Sequence, residues 1–330
     1  MNNLSVSVSP HIHDKTTTSR IMLDVLISLI PAFAASIIIF GFRAALVVLV
    51  CVATCVLCEW VYQKSMKKPI TIGDCSAAIT GVLLAFNLPS TIPLWQAVFG
   101  GAVAIILIKQ LFGGLGKNFA NPAVTARIVM FLAFSVTMTT WVLPLNGVTG
   151  ATPIVSPDGV TGATPLALLD GVTGATPLAL LARGETGALP GLLNMFLGLR
   201  GGCLGETSAL ALLLGGVYLV IRRVITWHTP VAYIATVFIF TALFGLDPVY
   251  HVLSGGLILG AVFMATDYVT TPQTGPGKLV FGVGAGLLTV VFRVYGSFPE
   301  GVSFAILLMN IVTPYINRFT ATKSLGGIRE

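Results

Sequence analysis

Ten stretches of this chain carry apolar side chains over lengths that match or approach the roughly 30 Å of bilayer hydrocarbon. They fall at 22–41, 44–62, 74–90, 94–112, 123–144, 207–224, 229–245, 249–266, 279–296 and 301–317. Each is expected to be a membrane-spanning helix. The third and seventh are short, and the third ends in Asn87-Leu88-Pro89. Because proline ends or kinks a helix, either stretch is a candidate broken or re-entrant segment.

Charge between the stretches gives the expected orientation. With ten crossings, alternate connections lie on opposite sides. One side receives Lys15 and Arg20, Lys64, Lys67 and Lys68, Lys117, Arg222 and Arg223, Lys278, and finally Arg318, Lys323 and Arg329. The other receives Arg43, Arg183 and Arg200 and little else that is basic. The positive-inside rule then puts both termini in the cytoplasm. The expected organisation is a cytoplasmic segment 1–21, a membrane half 22–144, an extracytoplasmic segment 145–206, a second membrane half 207–317 and a cytoplasmic tail 318–330.

The two membrane halves echo each other. Leu84-Ala-Phe-Asn-Leu-Pro-Ser-Thr-Ile-Pro-Leu-Trp, followed by Phe99-Gly100-Gly101, resembles Met264-Ala-Thr-Asp-Tyr-Val-Thr-Thr-Pro-Gln-Thr-Gly, followed by Phe281-Gly282-Val283. Farther on, Lys109-Gln-Leu-Phe-Gly-Gly has a counterpart in Arg293-Val-Tyr-Gly-Ser. Internal duplication is a recurrent way to build a transport pathway from discontinuous helices that meet near the midplane.

Composition narrows the function classes. With 55% hydrophobic and 9% charged residues and a mean hydropathy of +0.93, the chain has too little polar surface for a soluble globule. The net charge of +6 comes largely from residues beside the apolar stretches, so it reports orientation and implies no nucleic-acid partner. The first twenty residues lack the short apolar region and small-residue cleavage site of a signal peptide. Cys51, Cys55 and Cys58 lie within an apolar stretch and read as buried small side chains; Cys75 and Cys203 are isolated. His11 and His13 read as surface residues, and His228 and His251 as span-end residues.

The segment between the fifth and sixth stretches contains a twelve-residue repeat. It runs Asn146-Gly-Val-Thr-Gly-Ala-Thr152-Pro, Asp158-Gly-Val-Thr-Gly-Ala-Thr164-Pro-Leu and Asp170-Gly-Val-Thr-Gly-Ala-Thr176-Pro-Leu. By composition this is a turn-rich duplication. The motif itself resembles the flavinylation sequence of the NqrB/RnfD family, whose members are membrane subunits of the Na⁺-pumping quinone reductase and of the Rnf complex. The resemblance extends over nearly the whole chain, through Ser9-Pro-His11, Lys109 to Pro122, Gly205-Glu-Thr-Ser-Ala, Thr266-Asp267, Gly277-Lys278 and Gly296-Ser-Phe-Pro-Glu-Gly.

This resemblance, closest to the RnfD branch, implies an all-α integral membrane fold like that of urea channels, in a bacterial inner or plasma membrane. It also implies a subunit of a ferredoxin:NAD⁺ oxidoreductase that moves Na⁺ or H⁺, with other Rnf subunits and a flavin transferase as partners. The last Thr of the motif would hold FMN through a phosphoester, small Gly and Ala neighbours giving the transferase access. Asp158 and Asp170 would serve recognition. Thr164 and Thr176 both satisfy the pattern, whereas Thr152 follows Asn146 where the acid should be. Thr176 is preferred because the chain after it runs unbroken into Gly205-Glu-Thr-Ser; Thr164 stays a competitor, and two attached flavins are compatible with the sequence. The family counterpart of Gly113-Gly-Leu-Gly-Lys-Asn suggests a second, noncovalent flavin (riboflavin or FMN) near Lys117, Asn118 and Asn121. This run lacks the spacing of a phosphate loop.

An ion path is expected to use backbone and neutral oxygens, because Asp24, Glu59, Asp74, Asp247 and Asp267 all fall near span ends. The break at Gly113–Pro122 and the turn at Asp267–Pro276, with Thr270, Thr271 and Thr274, are the candidate segments. A passive solute channel or a structural scaffold would fit the same span count; only the redox reading predicts a denatured subunit that keeps flavin fluorescence.

Overall fold

The computed structural model describes residues 17–141, 176–182, 189–296 and 300–321, which form helices and their connections with no strand among them. The first half comprises α1 (Thr18–Phe40), α2 (Phe42–Ser65), α3 (Ser76–Phe86), α4 (Leu94–Ala102, continued by the π-helical run Val103–Gln110), α5 (Pro122–Ala133) and a short α6 (Ser135–Met138). Two short helices follow, α7 (Pro177–Ala182) and α8 (Leu192–Leu197). The second half comprises α9 (Ala209–Ile221), α10 (His228–Leu243), α11 (Pro248–Leu253), α12 (Leu257–Leu259, continued by the π-helical run Gly260–Met264), α13 (Gly275–Tyr295) and α14 (Val302–Thr320). The molecule is an all-α membrane protein, and each of the ten apolar stretches holds a helix.

Four helices are individually long and apolar enough to cross a membrane: α1, α2, α13 and α14. At 1.5 Å per residue they span roughly 28–36 Å. The others are shorter, and the reasons are local. Asn121 starts α5 by accepting the Ala123 and Val124 N–H groups on Oδ1, with Pro122 at the first helical position. Asp247 and Pro248 start α11 in the same way. Phe134 breaks the fifth stretch, so its helix is shorter than the apolar run 123–144 suggests.

Two helices are interrupted, one in each half. The third stretch is the expected one: α3 has 11 residues and ends at Asn87. The other interruption falls in the eighth stretch and not, as its length suggests, in the seventh. The seventh is the regular 16-residue α10. In the eighth, Ser254 leaves the helical conformation, and Gly255 and Gly256 turn the chain at φ +55° and +39°, a region that side chains disfavour.

The order of elements supports the duplication. In each half a short helix ends, at Asn87 or three residues before Asp267, and a proline-containing turn leads into the next helix at Leu94 or Gly275. Repeat-related Lys109 and Arg293 are both buried. Lys109 lies with Asn118, Val224 and Asp267 in a region next to Arg223 and Lys278, called here the basic face, and Arg293 lies beside Ser254 and Gly255.

Close helix contact relies on small residues where α9 crosses α1. A Cβ on Gly215 would collide with the carbonyl oxygen of Ser28, a backbone atom that cannot yield by a rotamer change. Gly215→Ala is therefore expected to push α9 off α1 and destabilise the fold by about 1–3 kcal/mol. A lower midpoint for thermal unfolding of the purified protein in detergent would register it.

Candidate functional site

An interrupted helix inside a membrane leaves carbonyls that water cannot reach, so the protein must satisfy them. For α3 the partners come from the segment before α9. Gly205 N–H donates to Phe86 O at 2.9 Å, Leu204 N–H to Leu88 O at 3.0 Å, and the Cys203 thiol to Asn87 O at 3.3 Å. Arg43 closes the next two, donating from Nε to Ser90 O and from Nη2 to Thr91 O, both at 3.0 Å. In the second half Arg293 does the same work, donating from Nη1 to His251 O and from Nη2 to Ser254 O and Gly255 O. Residues 200–208 are consequently buried within the bundle, though they belong to the long connection between the halves.

Arg127 of α5 ties these pieces together. Its Nη1 donates to Asn87 Oδ1 at 3.1 Å and to Ser303 Oγ at 2.9 Å, and its Nη2 pairs with Glu300 at 2.8 Å and approaches Cys203 Sγ at 3.6 Å. Glu206 lies between Gly202 and Gly256, with Arg127 close by. Arg200 is 2% exposed and donates to the carbonyls of Glu206 and Thr207. A buried polar centre thus gathers Arg127, Arg200, Arg293, Glu206 and Glu300 from segments far apart in sequence.

Thr176 precedes the short helix α7, which packs on Gly255 beside this centre. It is 4% exposed, its hydroxyl accepts the Ala179 N–H at 3.3 Å and its carbonyl accepts the Leu180 N–H at 3.0 Å. Two residues on, Leu178 is buried, and its Cδ1 occupies the place that a Cβ on Gly255 would need; an Arg293 Nη2 lies 3.5 Å from the same point. Leu178 therefore anchors the motif's last threonine against the break in the eighth span. Thr164, Asp158 and Asp170 lie outside the described residues.

The basic face holds a second site. Met22, Ile79, Thr80, Leu83, Asn118, Asn121, Lys109 and Asp267 are among the residues that line a cleft open to one side. Asn118 and Asn121 are thus brought together with Asp267, as separate sequence clues did not require. Lys117 is not among the lining residues: it is exposed and folded over Gly113. The cation in the cleft wall is Lys109. Asn118 donates to Ala120 O at 3.0 Å, and Asn121 caps α5. Asn310, its amide oriented to serve both neighbours, donates to Thr270 O and accepts the Asn121 N–H, each at 3.2 Å.

Lys109 is held by a network that sequence reasoning missed. Its Nζ pairs with Glu59 at 2.9 Å and donates to Ser76 Oγ at 2.6 Å. Gln110 and Gln63 donate to Glu59 Oε1 at 2.7 and 3.3 Å, and Ser76 passes the chain to Asp74 at 2.6 Å. Glu59 is 1% exposed, so it is a buried partner and not the span-end residue that its position suggested. Cys51 and Cys55, on the same helix as Glu59, are buried.

At the candidate ion path, Thr270 Oγ1 donates to Asp267 Oδ2 at 3.2 Å, Thr271 Oγ1 donates to Asp267 O at 2.6 Å, and Thr270 O accepts from Thr313 at 2.9 Å. These oxygens satisfy one another in a closed turn. The two interrupted helices meet where Asn87 Nδ2 approaches Met264 Sδ at 3.7 Å.

Fold and site together define an all-α membrane protein with two interrupted helices, a buried charged centre and a cleft lined by Lys109, Asn118, Asn121 and Asp267. The family described as NQR2, RnfD, RnfE matches residues 5–326, and the chain belongs to it. Its curated relatives include subunits designated D of ion-translocating oxidoreductase complexes. That of the Na⁺-translocating ferredoxin:NAD⁺ oxidoreductase complex of Acetobacterium woodii is 48% identical over 98% of this chain and 96% of its own length. That of the proton-translocating ferredoxin:NAD⁺ oxidoreductase complex of Clostridium ljungdahlii is 42% identical over 98% and 97%. That of the ion-translocating oxidoreductase complex of Stutzerimonas stutzeri is 42% identical over 94% and 93%.

Proposed function

We propose that this chain is the RnfD membrane subunit of an Rnf-type complex that couples electron transfer from ferredoxin to NAD⁺ to movement of Na⁺ or H⁺, with FMN esterified to Thr176. The relatives' names and full-length coverage support the complex and its coupling. The observation that carries the flavin assignment is that the last threonine of the Asp-Gly-Val-Thr-Gly-Ala-Thr motif is buried and that Leu178, two residues on, packs on Gly255 beside Arg293. An ester there would be held by the protein and not on a free tether. Membrane orientation follows the charge asymmetry, with the basic face and both termini in the cytoplasm of a bacterial cell.

The bound flavin supplies reversible one- and two-electron redox chemistry; the protein supplies position, electrostatics and exclusion of water. Thr176 contributes the ester oxygen and Leu178 anchors its backbone. Because Thr176 is buried, the flavin transferase must reach the motif while this segment is undocked, so attachment precedes closure of the segment on Gly255.

The cleft on the basic face fits the second, noncovalent flavin. Its apolar walls with few convergent polar groups suit the faces of a tricyclic ring, and Asn118, Asn121, Lys109 and Ser76 are the residues that would orient it. Filling the cleft with Thr80→Trp is expected to remove the flavin released on acid denaturation while the covalent flavin stays. High-performance chromatography of the released fraction reads the first, and in-gel fluorescence the second.

Translocation needs two conformations that the redox state biases differently. The interrupted helices meeting at Asn87 and Met264 are the elements suited to change. The test of the whole reading uses the subunit produced with its partners and transferase. A fluorescent denatured subunit, together with ion uptake into vesicles driven by reduced ferredoxin and NAD⁺, is expected. A colourless subunit that conducts a small solute passively would replace this reading with a channel.

A further inference from the structure

Unpaired buried donors are rare in folded proteins, and each one calls for an explanation. Among the described residues, six buried side-chain nitrogens or oxygens lack a hydrogen-bond partner. Five of them belong to four residues around the break in the eighth span: Arg200 Nη1, Arg293 Nε, Ser254 Oγ and both ring nitrogens of His251. All four side chains are more than nine-tenths buried. They come from three elements separated in sequence, so no single local distortion accounts for the coincidence.

Charge points the same way. The centre holds three guanidinium groups, Arg127, Arg200 and Arg293, against two carboxylates, Glu206 and Glu300. Arg293 lies within electrostatic range of Glu206, Glu300 and Arg200. One positive charge is left over when every group is ionised. Arg127 is fully engaged by Asn87, Ser303 and Glu300, so the surplus rests on Arg200 and Arg293, whose remaining bonds go only to neutral carbonyls. A buried cation without a counter-anion is costly in any low-dielectric interior.

Position supplies the third argument. Leu178, two residues from Thr176, packs on Gly255 beside Arg293. An ester at Thr176 would put its phosphate at the start of the helix that packs beside these donors. A phosphodiester bears a single negative charge and two acceptor oxygens, which matches one surplus cation and a set of unpaired N–H and O–H groups.

We infer that Arg200, Arg293, Ser254 and His251 form the phosphate seat of the Thr176-linked flavin, Arg200 and Arg293 supplying charge, and Ser254 and His251 supplying neutral hydrogen bonds. This rests on attachment at Thr176. The seat makes these four positioning residues: they hold the ester and through it fix where the flavin ring lies. It also assigns Arg293 a second task beside capping the broken helix, and explains why the repeat keeps a buried cation at this place as at Lys109.

The test is a two-by-two comparison in the full complex produced with its flavin transferase. Arg200→Gln is made in the flavinylated background and in Thr176→Val, and thermal unfolding and in-gel flavin fluorescence are read for each. With the flavin attached, Arg200→Gln is expected to lower the midpoint by on the order of 3 °C or more and to raise quenching of the native flavin by iodide several-fold, with covalent flavin content unchanged. In the Thr176→Val background the same substitution removes an unmatched charge, so the midpoint should hold or rise. Ser254→Ala, which changes no charge, is the milder companion: it should raise iodide quenching in the flavinylated protein and alter nothing in Thr176→Val. Equal loss of stability in both backgrounds, or unchanged quenching in both variants, would mean a structural role and overturn the seat. Covalent flavin that survives Thr176→Val would instead overturn attachment at Thr176, a separate failure visible in the gel alone.

Discussion

Thr176→Val is expected to leave the denatured subunit without flavin fluorescence when it is produced with its transferase, while Thr164→Val keeps the signal. Valine matches the shape of threonine and removes only the hydroxyl, so loss of the flavin would report chemistry and not folding. The fold should tolerate it: the hydroxyl's bond is one 3.3 Å cap on Ala179 of a six-residue helix, worth about 1 kcal/mol. Electron transfer through the complex should fall to background, because a missing carrier cannot be bypassed by a side chain. The opposite pattern, with fluorescence lost only in Thr164→Val, would move the ester twelve residues earlier. Leu178 would then anchor a spacer and not the cofactor.

Much of the architecture is legible in the apolar runs, because a bilayer imposes length and apolarity on each crossing independently of what packs beside it. The break after Asn87 is legible for the same local reason, a polar residue and proline closing a short run. The second break is hidden because Ser254-Gly-Gly keeps the hydropathy of the eighth stretch high; what interrupts the helix there is backbone conformation at two glycines, which leaves no mark on hydropathy. The cleft is half legible. Asn118, Asn121 and Asp267 each stand out in the sequence, yet only the fold puts them in one wall, and it exchanges Lys117 for Lys109.

The charged centres are the least legible part. Glu59 and Lys109 are 50 residues apart and Arg127 and Glu300 are 173 apart, so no spacing rule links them. In a membrane protein a charge near the end of an apolar run reads naturally as an interfacial residue. The available signal is the repeat itself. It aligns Lys109 with Arg293, and a cation kept at equivalent places in both halves, each inside a predicted helix, argues against interfacial duty at either.

Glu59→Gln tests that argument with a large expected effect. The substitution preserves shape and leaves Lys109 with Ser76 as its one remaining charge-free anchor, so an ammonium that is 2% exposed loses its counter-charge. Breaking a buried pair from one side costs about 3–5 kcal/mol. Lys109→Met should cost less, since Gln110 and Gln63 still donate to Glu59. The double variant Glu59→Gln with Lys109→Met removes both charges, and its stability should exceed that of Glu59→Gln alone, a coupling that thermal unfolding of the four proteins measures directly. Additive losses would mean that the pair is not coupled in the membrane. Lys109 also lines the cleft, so the double variant should fold yet retain less of the noncovalent flavin, with the covalent one untouched. That outcome separates the two tasks of the pair. Glu59 makes a buried ammonium tolerable, and on the proposed reading that ammonium serves the flavin of the cleft.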